Sequence, residues 1–244
     1  MFSRDYLVHY YEIDRRRRLT PPALLHYFED IATLNSEAAG FPLDYYWKTG
    51  QLFLLLKWDV AVSSWPLFGE TVRIETRPTT FKRFLANREY RVIGKNGNAL
   101  AEARSVWIFT DLRARKPVRV PEEIYGGFGV AGESGASFDN LEELPEFDGD
   151  APPLRIAVGP ADLDNNDHVN NVRYVEWALR SLPAGFAAER AASRIQVHYK
   201  KELHCGDEAE LVTGISDRDG RPQSDHSIRC GDREACRIRL EWAG

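Results

Sequence analysis

The sequence predicts an α+β protein in which one unit, a strand, a long helix and four antiparallel strands, occurs twice. Three observations carry that reading. Each half of the chain holds one stretch with apolar residues at three- and four-residue spacing, the period of a helix with one buried face. Each stretch is followed by β-branched and aromatic runs separated by turn residues. Between the halves lies an acidic segment with glycine and proline but no sustained apolar period. A buried helix wrapped by a curved antiparallel sheet satisfies both apolar patterns.

In the first half, Tyr6 to Ile13 alternates and reads as a strand. Thr20 supplies a capping hydroxyl, Pro21 fits the first helical position, and Leu24, Tyr27, Phe28, Ile31 and Leu34 form the stripe. Gly40 marks the helix end, since it can take the left-handed conformation. Strands are expected at Leu52–Ser63, Thr71–Arg77, Leu85–Ile93 and Ala99–Thr110, with Asn96-Gly97 as a tight hairpin between the last two. The second half repeats the order. A short strand is expected at Leu154–Val158, a helix from Val169 to about Leu182, and strands at Arg194–Leu203, Glu208–Ile215, Ser224–Arg229 and Ala235–Trp242, with a hairpin at Asp219-Gly220. The predicted organisation is residues 1–119, an acidic linker 120–153, and residues 154–244.

With 244 residues, the chain is long enough to bury a core without disulfides or a structural metal. Its longest aliphatic and aromatic run, Leu52 to Leu56, is far short of the ~20 residues of a membrane span. The start of the chain has no apolar signal region. Cys205, Cys230 and Cys236 are a sparse, odd set, which favours reduced thiols and a cytoplasmic protein. The net charge of -5 is uneven: residues 120–154 hold nine acidic and no basic side chains, leaving +4 over the other 209 residues. That is too weakly basic for a nucleic-acid binder and leaves room for a small acidic partner.

Chemistry concentrates in Asp162-Leu163-Asp164-Asn165-Asn166-Asp167-His168-Val169-Asn170-Asn171-Val172-Arg173-Tyr174. Asp164, Asn166 and His168 are two apart, so in an extended segment they point the same way. They precede a helix, whose N-terminal N–H groups favour a developing oxyanion. A carboxylate, an amide and an imidazole converging there can position a water, polarise a carbonyl and pass a proton. On spacing alone, an Asp- and Asn-rich cap with an incidental histidine explains the stretch equally well. The matching stretch of the first half, Asp14-Arg15-Arg16-Arg17-Arg18-Leu19-Thr20-Pro21, has neither Asn nor His, so one functional site in the second half is expected.

Asp162 to Trp177 closely resembles the signature of the acyl-acyl-carrier-protein (acyl-ACP) thioesterases of plants and bacteria. The resemblance extends through Tyr11-Glu12-Ile13-Asp14, Glu29-Asp30-Ile31-Ala32, Trp65-Pro66 with Gly69-Glu70, Ser105-Val106-Trp107, Pro121-Glu122-Glu123, Tyr199-Lys200-Lys201-Glu202 and Gly206-Asp207. It implies two tandem hotdog folds and hydrolysis of the thioester joining a fatty acyl chain to the carrier's phosphopantetheine arm, ending fatty-acid synthesis. It also implies that Asp164, Asn166, His168 and Glu202 are catalytic. The cysteine that some family proposals place directly after the glutamate is Leu203 here, and on a strand Cys205 would face away from Glu202. An activated water, with Glu202 or Asp164 as general base, is therefore the expected nucleophile. No metal or redox cofactor is expected. The rival readings are a hotdog hydrolase of acyl-CoA and a non-catalytic acyl-binding protein.

Three weaker signals remain. Gly127 to Gly132 matches GxGxxG but lies in the acidic segment, without the strand and helix that a dinucleotide site needs, and reads as a flexible loop. His198, Glu202 and His204 would share a strand face, which raises zinc as a minor alternative. Basic residues at Arg15–Arg18, at Arg113, Arg115, Lys116 and Arg119, and at Arg173, Lys200 and Lys201 are candidate surfaces for an acidic carrier. An acyl pocket is expected in the first half, between the helix around Leu24–Leu34 and Leu52–Leu56. Monomer and homodimer both stay open.

Overall fold

The computed structural model describes residues 1–130, 138–149 and 152–243. Strand β1 (Phe2–Leu7) leads through a 3-10 turn at Tyr10–Glu12 into helix α1 (Pro21–Ala38). The expected strand Tyr6–Ile13 thus stops at Leu7. Glu12 turns the chain there by accepting the His9 backbone N–H at 2.7 Å and the Tyr27 hydroxyl at 2.5 Å. Helix α1 begins as expected, with the Thr20 hydroxyl accepting the Ala23 N–H and Pro21 in the first turn. Leu24, Leu25, Phe28 and Ile31 are fully buried on its inner face. A short helix α2 (Leu43–Thr49), not foreseen from the sequence, follows. It buries no residue and so has no apolar stripe; it is held by Tyr46 and Ser36 hydroxyls 2.8 Å apart and ended by left-handed Gly50.

Strands β2 (Gln51–Val62), β3 (Thr71–Lys82), β4 (Leu85–Ile93) and β5 (Ala99–Asp111) complete the first half, with a two-residue β6 (Lys116–Pro117) on β5. Helix α3 (Glu122–Gly127) then packs back: Val120 and Ile124 are buried beside Phe41, Phe81 and Phe109. The first half therefore extends past the expected 119/120 boundary, because Ile124 completes an aromatic cluster. The GxGxxG match begins inside this helix, not in a loop, and its last two residues lie outside the described residues.

The second half contains β7 (Leu154–Ala157), α4 (Asn171–Arg180), a single-turn α5 (Phe186–Glu189), β8 (Ala191–Tyr199), β9 (Glu208–Arg218), β10 (Arg221–Cys230) and β11 (Arg233–Ala243). Asp219 and Gly220 both have positive φ, the geometry of the expected tight hairpin. All strands join one antiparallel sheet in the order β1-β3-β4-β5-β2-β8-β11-β10-β9-β7. The order reads alike from either end, as a duplicated unit joined edge to edge requires. The seam is the β2–β8 pair, where Trp58 faces Val197 and Val60 faces Ile195 across the ladder, all four buried. Asp59 fixes the seam through Arg194 and Arg104; burial opposes its charge, but these two cations outweigh it and hold the carboxyl below its usual range. Helices α1 and α4 pack against each other beside the sheet.

Residues 138–149 are not a free linker but a strap across the sheet. Leu141 and Leu144 are buried, and Asn87 exchanges two hydrogen bonds with the Asp139 backbone. The strap's acidic residues pair with sheet cations: Asp139 with Arg104 at 2.6 Å, Glu146 with Arg237 at 3.0 Å, Glu143 with Lys57, Glu142 with Arg194 and Asp148 with Arg229. Gly214 on β9 leaves room for the Phe147 ring, which a side chain there would strike. Glu133 and Asp150 lie outside the described residues. The basic surplus of the two halves is thus engaged in part by their own strap, which weakens the inference from net charge to an acidic partner.

Candidate active site

The signature segment folds as a tight turn before α4. The Asp164 Oδ1 accepts the N–H groups of Asn166 at 2.8 Å and His168 at 3.3 Å, while the Asp164 N–H donates to the His168 carbonyl at 2.8 Å. Asp167 is left-handed at φ 60, a conformation Asp tolerates better than most residues. Asn170 caps the helix by accepting the Val172 N–H at 2.9 Å. The helix therefore starts at Asn171, not Val169, and His168 lies on the turn ahead of it. The cap occupies the Val172 N–H, whereas the Asn166 side chain, whose amide donates to Asn165 Oδ1 at 3.3 Å, stands on the cavity wall as a donor for a substrate carbonyl.

Strand β8 ends at Tyr199, earlier than the expected Leu203, so Glu202 to Cys205 lie on a loop. The alternation argument about Cys205 does not apply there; Cys205 is exposed and does not line the cavity described below. The loop brings Glu202 Oε1 to 3.4 Å from His168 Nδ1, with the imidazole mostly buried and the carboxylate half exposed. His204 packs edge-on against His168, ring centroids 5.0 Å apart, and its Nδ1 lies 3.3 Å from the Asp167 carbonyl. His198 departs from the expected trio: it is buried under the strap, where burial pushes it down to about 4, and its Nδ1 faces the Leu144 N–H. His168 takes its place, and His168, Glu202 and His204 offer ligand atoms within 4.8 Å of one another. These three are the side chains of the site that could hold a divalent cation, and they include the imidazole and carboxylate that proton transfer needs.

A cavity of about 750 Å³ joins the two halves. Asp164, Asn166, His168 and Glu202 line it from the second half. From the first half come β2 residues Leu52 to Leu56, with Phe41, Phe81 and Phe128. The expected apolar pocket is present, but the stripe residues Leu24, Phe28 and Ile31 are core; the α1 wall is Glu29, Ala32, Thr33 and Ser36. The far wall carries Arg88, which is buried and donates to Asn35 at 2.8 Å. Among the basic candidates, Arg115, Lys200 and Lys201 reach the cavity. Arg18 is bound to Asp14, Arg173 to Glu176 and Lys200 to Glu234.

Glu29 was not singled out from the sequence as a site residue. The signal was there: on α1 it lies in line with Leu25 and Ala32, four and three residues away, both buried. A carboxyl in a buried line needs a reason, and here it is the cavity wall.

Residues 1–128 match the acyl-ACP thioesterase N-terminal domain, and residues 150–244 match the acyl-ACP thioesterase C-terminal domain. A palmitoyl-acyl carrier protein thioesterase of the chloroplast of Arabidopsis thaliana is 26% identical over 265 residues, covering 100% of this chain and 64% of that protein. The chain thus spans slightly under two thirds of the length of the curated relatives it matches. Among solved structures, the 12:0-ACP thioesterase of Umbellularia californica superposes with a TM-score of 0.85 at 22% identity, covering 99% of this chain and 93% of that one. An acyl-ACP thioesterase of Bacteroides thetaiotaomicron gives 0.84 at 20% identity, with coverages of 99% and 97%. The fold is the tandem hotdog-like α+β arrangement expected from the sequence. On the match of both domains across nearly all of its length, the chain belongs to the acyl-ACP thioesterase family.

Proposed function

We propose that this chain hydrolyses the thioester of fatty acyl-ACP to a free fatty acid and the carrier thiol. The observation that carries the reading is the continuity of one cavity from the apolar β2 wall to the His168–Glu202 pair. Its volume is within the ~300–1,000 Å³ typical of small-molecule sites. The acyl chain lies against Leu52–Leu56 and Phe81, and the thioester reaches the turn before α4. Glu202 holds His168 through Nδ1, and the other ring nitrogen takes a proton from water as its oxygen attacks the thioester carbonyl. Asn166 donates to the resulting oxyanion. Collapse breaks the C–S bond, and the leaving thiolate takes the proton from His168.

Asp164 is the turn's organiser in this scheme, because its Oδ1 already accepts two backbone N–H groups. The free cysteines support a reducing, cytoplasmic setting. The acidic carrier docks by the cavity, where Arg115 and Lys201 are exposed. The test is thiol release from acyl-ACP and acyl-CoA measured side by side. The expected result is a higher kcat/KM for acyl-ACP that falls with salt, while a neutral acyl-pantetheine is unaffected. Faster turnover of acyl-CoA would assign the chain to a CoA-thioester hydrolase, and no release from either would overturn hydrolysis.

A further inference from the structure

Proton transfer uses His168 and Glu202, and leaves a third ligand-type side chain of the site, His204, without a task. One ligand atom from each of the three, two imidazole nitrogens and a carboxylate oxygen, lies within 4.8 Å of the others. Ligands of a tetrahedral zinc, bonded at ~2.1 Å, stand about 3.4 Å from one another. His168 Nδ1 and Glu202 Oε1 already have that separation, 3.4 Å. Glu202 and His204 are exposed, so an ion can reach them from solvent.

His204 is also held in the way a metal-binding imidazole is held. Its Nδ1 sits 3.3 Å from the Asp167 carbonyl, and its backbone N–H donates to Asp207 Oδ2 at 2.9 Å. An Nδ1–H given to a carbonyl leaves the lone pair on the other ring nitrogen and fixes the plane of the ring. The charges nearby favour a cation. Asp164, Asp167 and Asp207 join Glu202 in the turn and loop, against Lys200 and Lys201, and Lys200 is held by Glu234 at 2.6 Å.

The same backbone frame in the first half holds none of the three donors. The Leu19 N–H donates to the Pro66 carbonyl as Val169 does to Leu203, and Gly69 to Val8 as Gly206 to Val158. In that register Arg18, Trp65 and Leu67 stand in the places of His168, Glu202 and His204.

We propose that His168, Glu202 and His204 form an inhibitory zinc site, with water in the fourth position. Two imidazoles and a carboxylate suit zinc better than magnesium or calcium, which prefer oxygen ligands. The bound ion takes the carboxylate and the imidazole nitrogen that pair in catalysis, so proton transfer stops until the ion leaves. This inference rests on the hydrolase reading above.

The experiment strips the chain with EDTA and titrates it with Zn(II), following fatty-acid release from acyl-ACP, since zinc also binds the liberated thiol. Binding is measured separately by calorimetry and by the visible absorption of Co(II). His204→Phe keeps a ring against His168 but has no lone pair; Cys205→Ser removes the exposed neighbouring thiol. Each variant is compared with its own zinc-free rate. Stripping should not lower activity, and Zn(II) should suppress it reversibly. In His204→Phe both inhibition and binding should weaken at least about tenfold, since even an outer-sphere partner is worth that much. Cys205→Ser should be inhibited like the unchanged chain. Equal inhibition of His204→Phe, or its loss in Cys205→Ser, would overturn the site. Activity lost on stripping and restored by Zn(II) would make the ion a cofactor and overturn the inhibitory role. If the unchanged chain releases no fatty acid, the hydrolase reading falls and the inhibitory role with it, while calorimetry and the Co(II) spectrum still decide whether the three residues bind the ion.

Discussion

In the turn before α1, Asp14 Oδ1 accepts the N–H groups of Arg16 and Arg18 at 2.8 and 2.9 Å; in the turn before α4, Asp164 Oδ1 accepts those of Asn166 and His168 at 2.8 and 3.3 Å. Both turns put a left-handed residue fourth, Arg17 at φ 64 and Asp167 at φ 60, and both end in a helix cap, Thr20 and Asn170. The backbone is one design used twice. The difference lies in the side chains at the fifth position. Arg18 folds back onto Asp14 through two hydrogen bonds and reaches the Arg190 carbonyl, tying the turn to the other half. His168 turns instead to Glu202 at the cavity. The comparison teaches that the shared aspartate serves the backbone, while in the proposed mechanism the chemistry belongs to the side chains that stand where the first turn has arginines.

The sharpest break of the symmetry is at that fifth position. His168→Ala and Glu202→Ala should each lower kcat by ~10²–10⁴, the usual range for proton-transfer groups, with unfolding temperature little changed. Cys205→Ala, measured beside them by thiol release, should keep most activity; an inactive but folded Cys205→Ala would point to a covalent thioester intermediate. The aspartates give a medium effect that separates the turns. Asp14→Ala and Asp164→Ala should each destabilise by about 0.5–1.5 kcal/mol in denaturant unfolding, through loss of the turn's side-chain hydrogen bonds. Of the two, Asp164→Ala alone should also slow turnover. Asp164→Asn, which keeps an acceptor oxygen, should stay within about tenfold of the unchanged enzyme, whereas a loss matching Glu202→Ala would make Asp164 the base. The smallest effect is at the left-handed residues. Arg17→Gly should gain up to about 1 kcal/mol of stability from relieved strain, and Asp167→Gly less, since Asp tolerates this conformation.

Features set by near neighbours in sequence were legible: the Thr20 cap, the Asp219-Gly220 hairpin and the helix stripes all depend on residues a few positions apart. The recurrence of the unit was legible for the same reason. The strap was not, because its pairs join residues far apart, Asp139 to Arg104 and Glu146 to Arg237, and an acidic, Pro-containing stretch reads locally as a linker. The site was legible as residue types but not as geometry. Alternation carried β8 through Leu203, whereas the strand ends at Tyr199 and Glu202 meets His168 from a loop. The helical line through Leu25 and Ala32 put Glu29 on a buried face, but its place on the cavity wall comes from packing of α1 beside the turn of the other half, which no local pattern reports.

The central claim is a division of labour, in which one half binds the chain and the other breaks the bond. The measurement that tests it most directly is thiol release over acyl-ACPs of increasing chain length, for the unchanged enzyme, Glu202→Gln and Leu54→Trp. Leu54 is half-buried on the cavity wall in the first half, on β2 opposite Ile108 of β5. The account predicts that Glu202→Gln scales turnover of every chain length down by one common factor. Leu54→Trp should instead shift the profile to shorter chains, with kcat on the preferred substrate kept within a few fold. A uniform loss from Leu54→Trp, or a changed chain-length profile from Glu202→Gln, would contradict it.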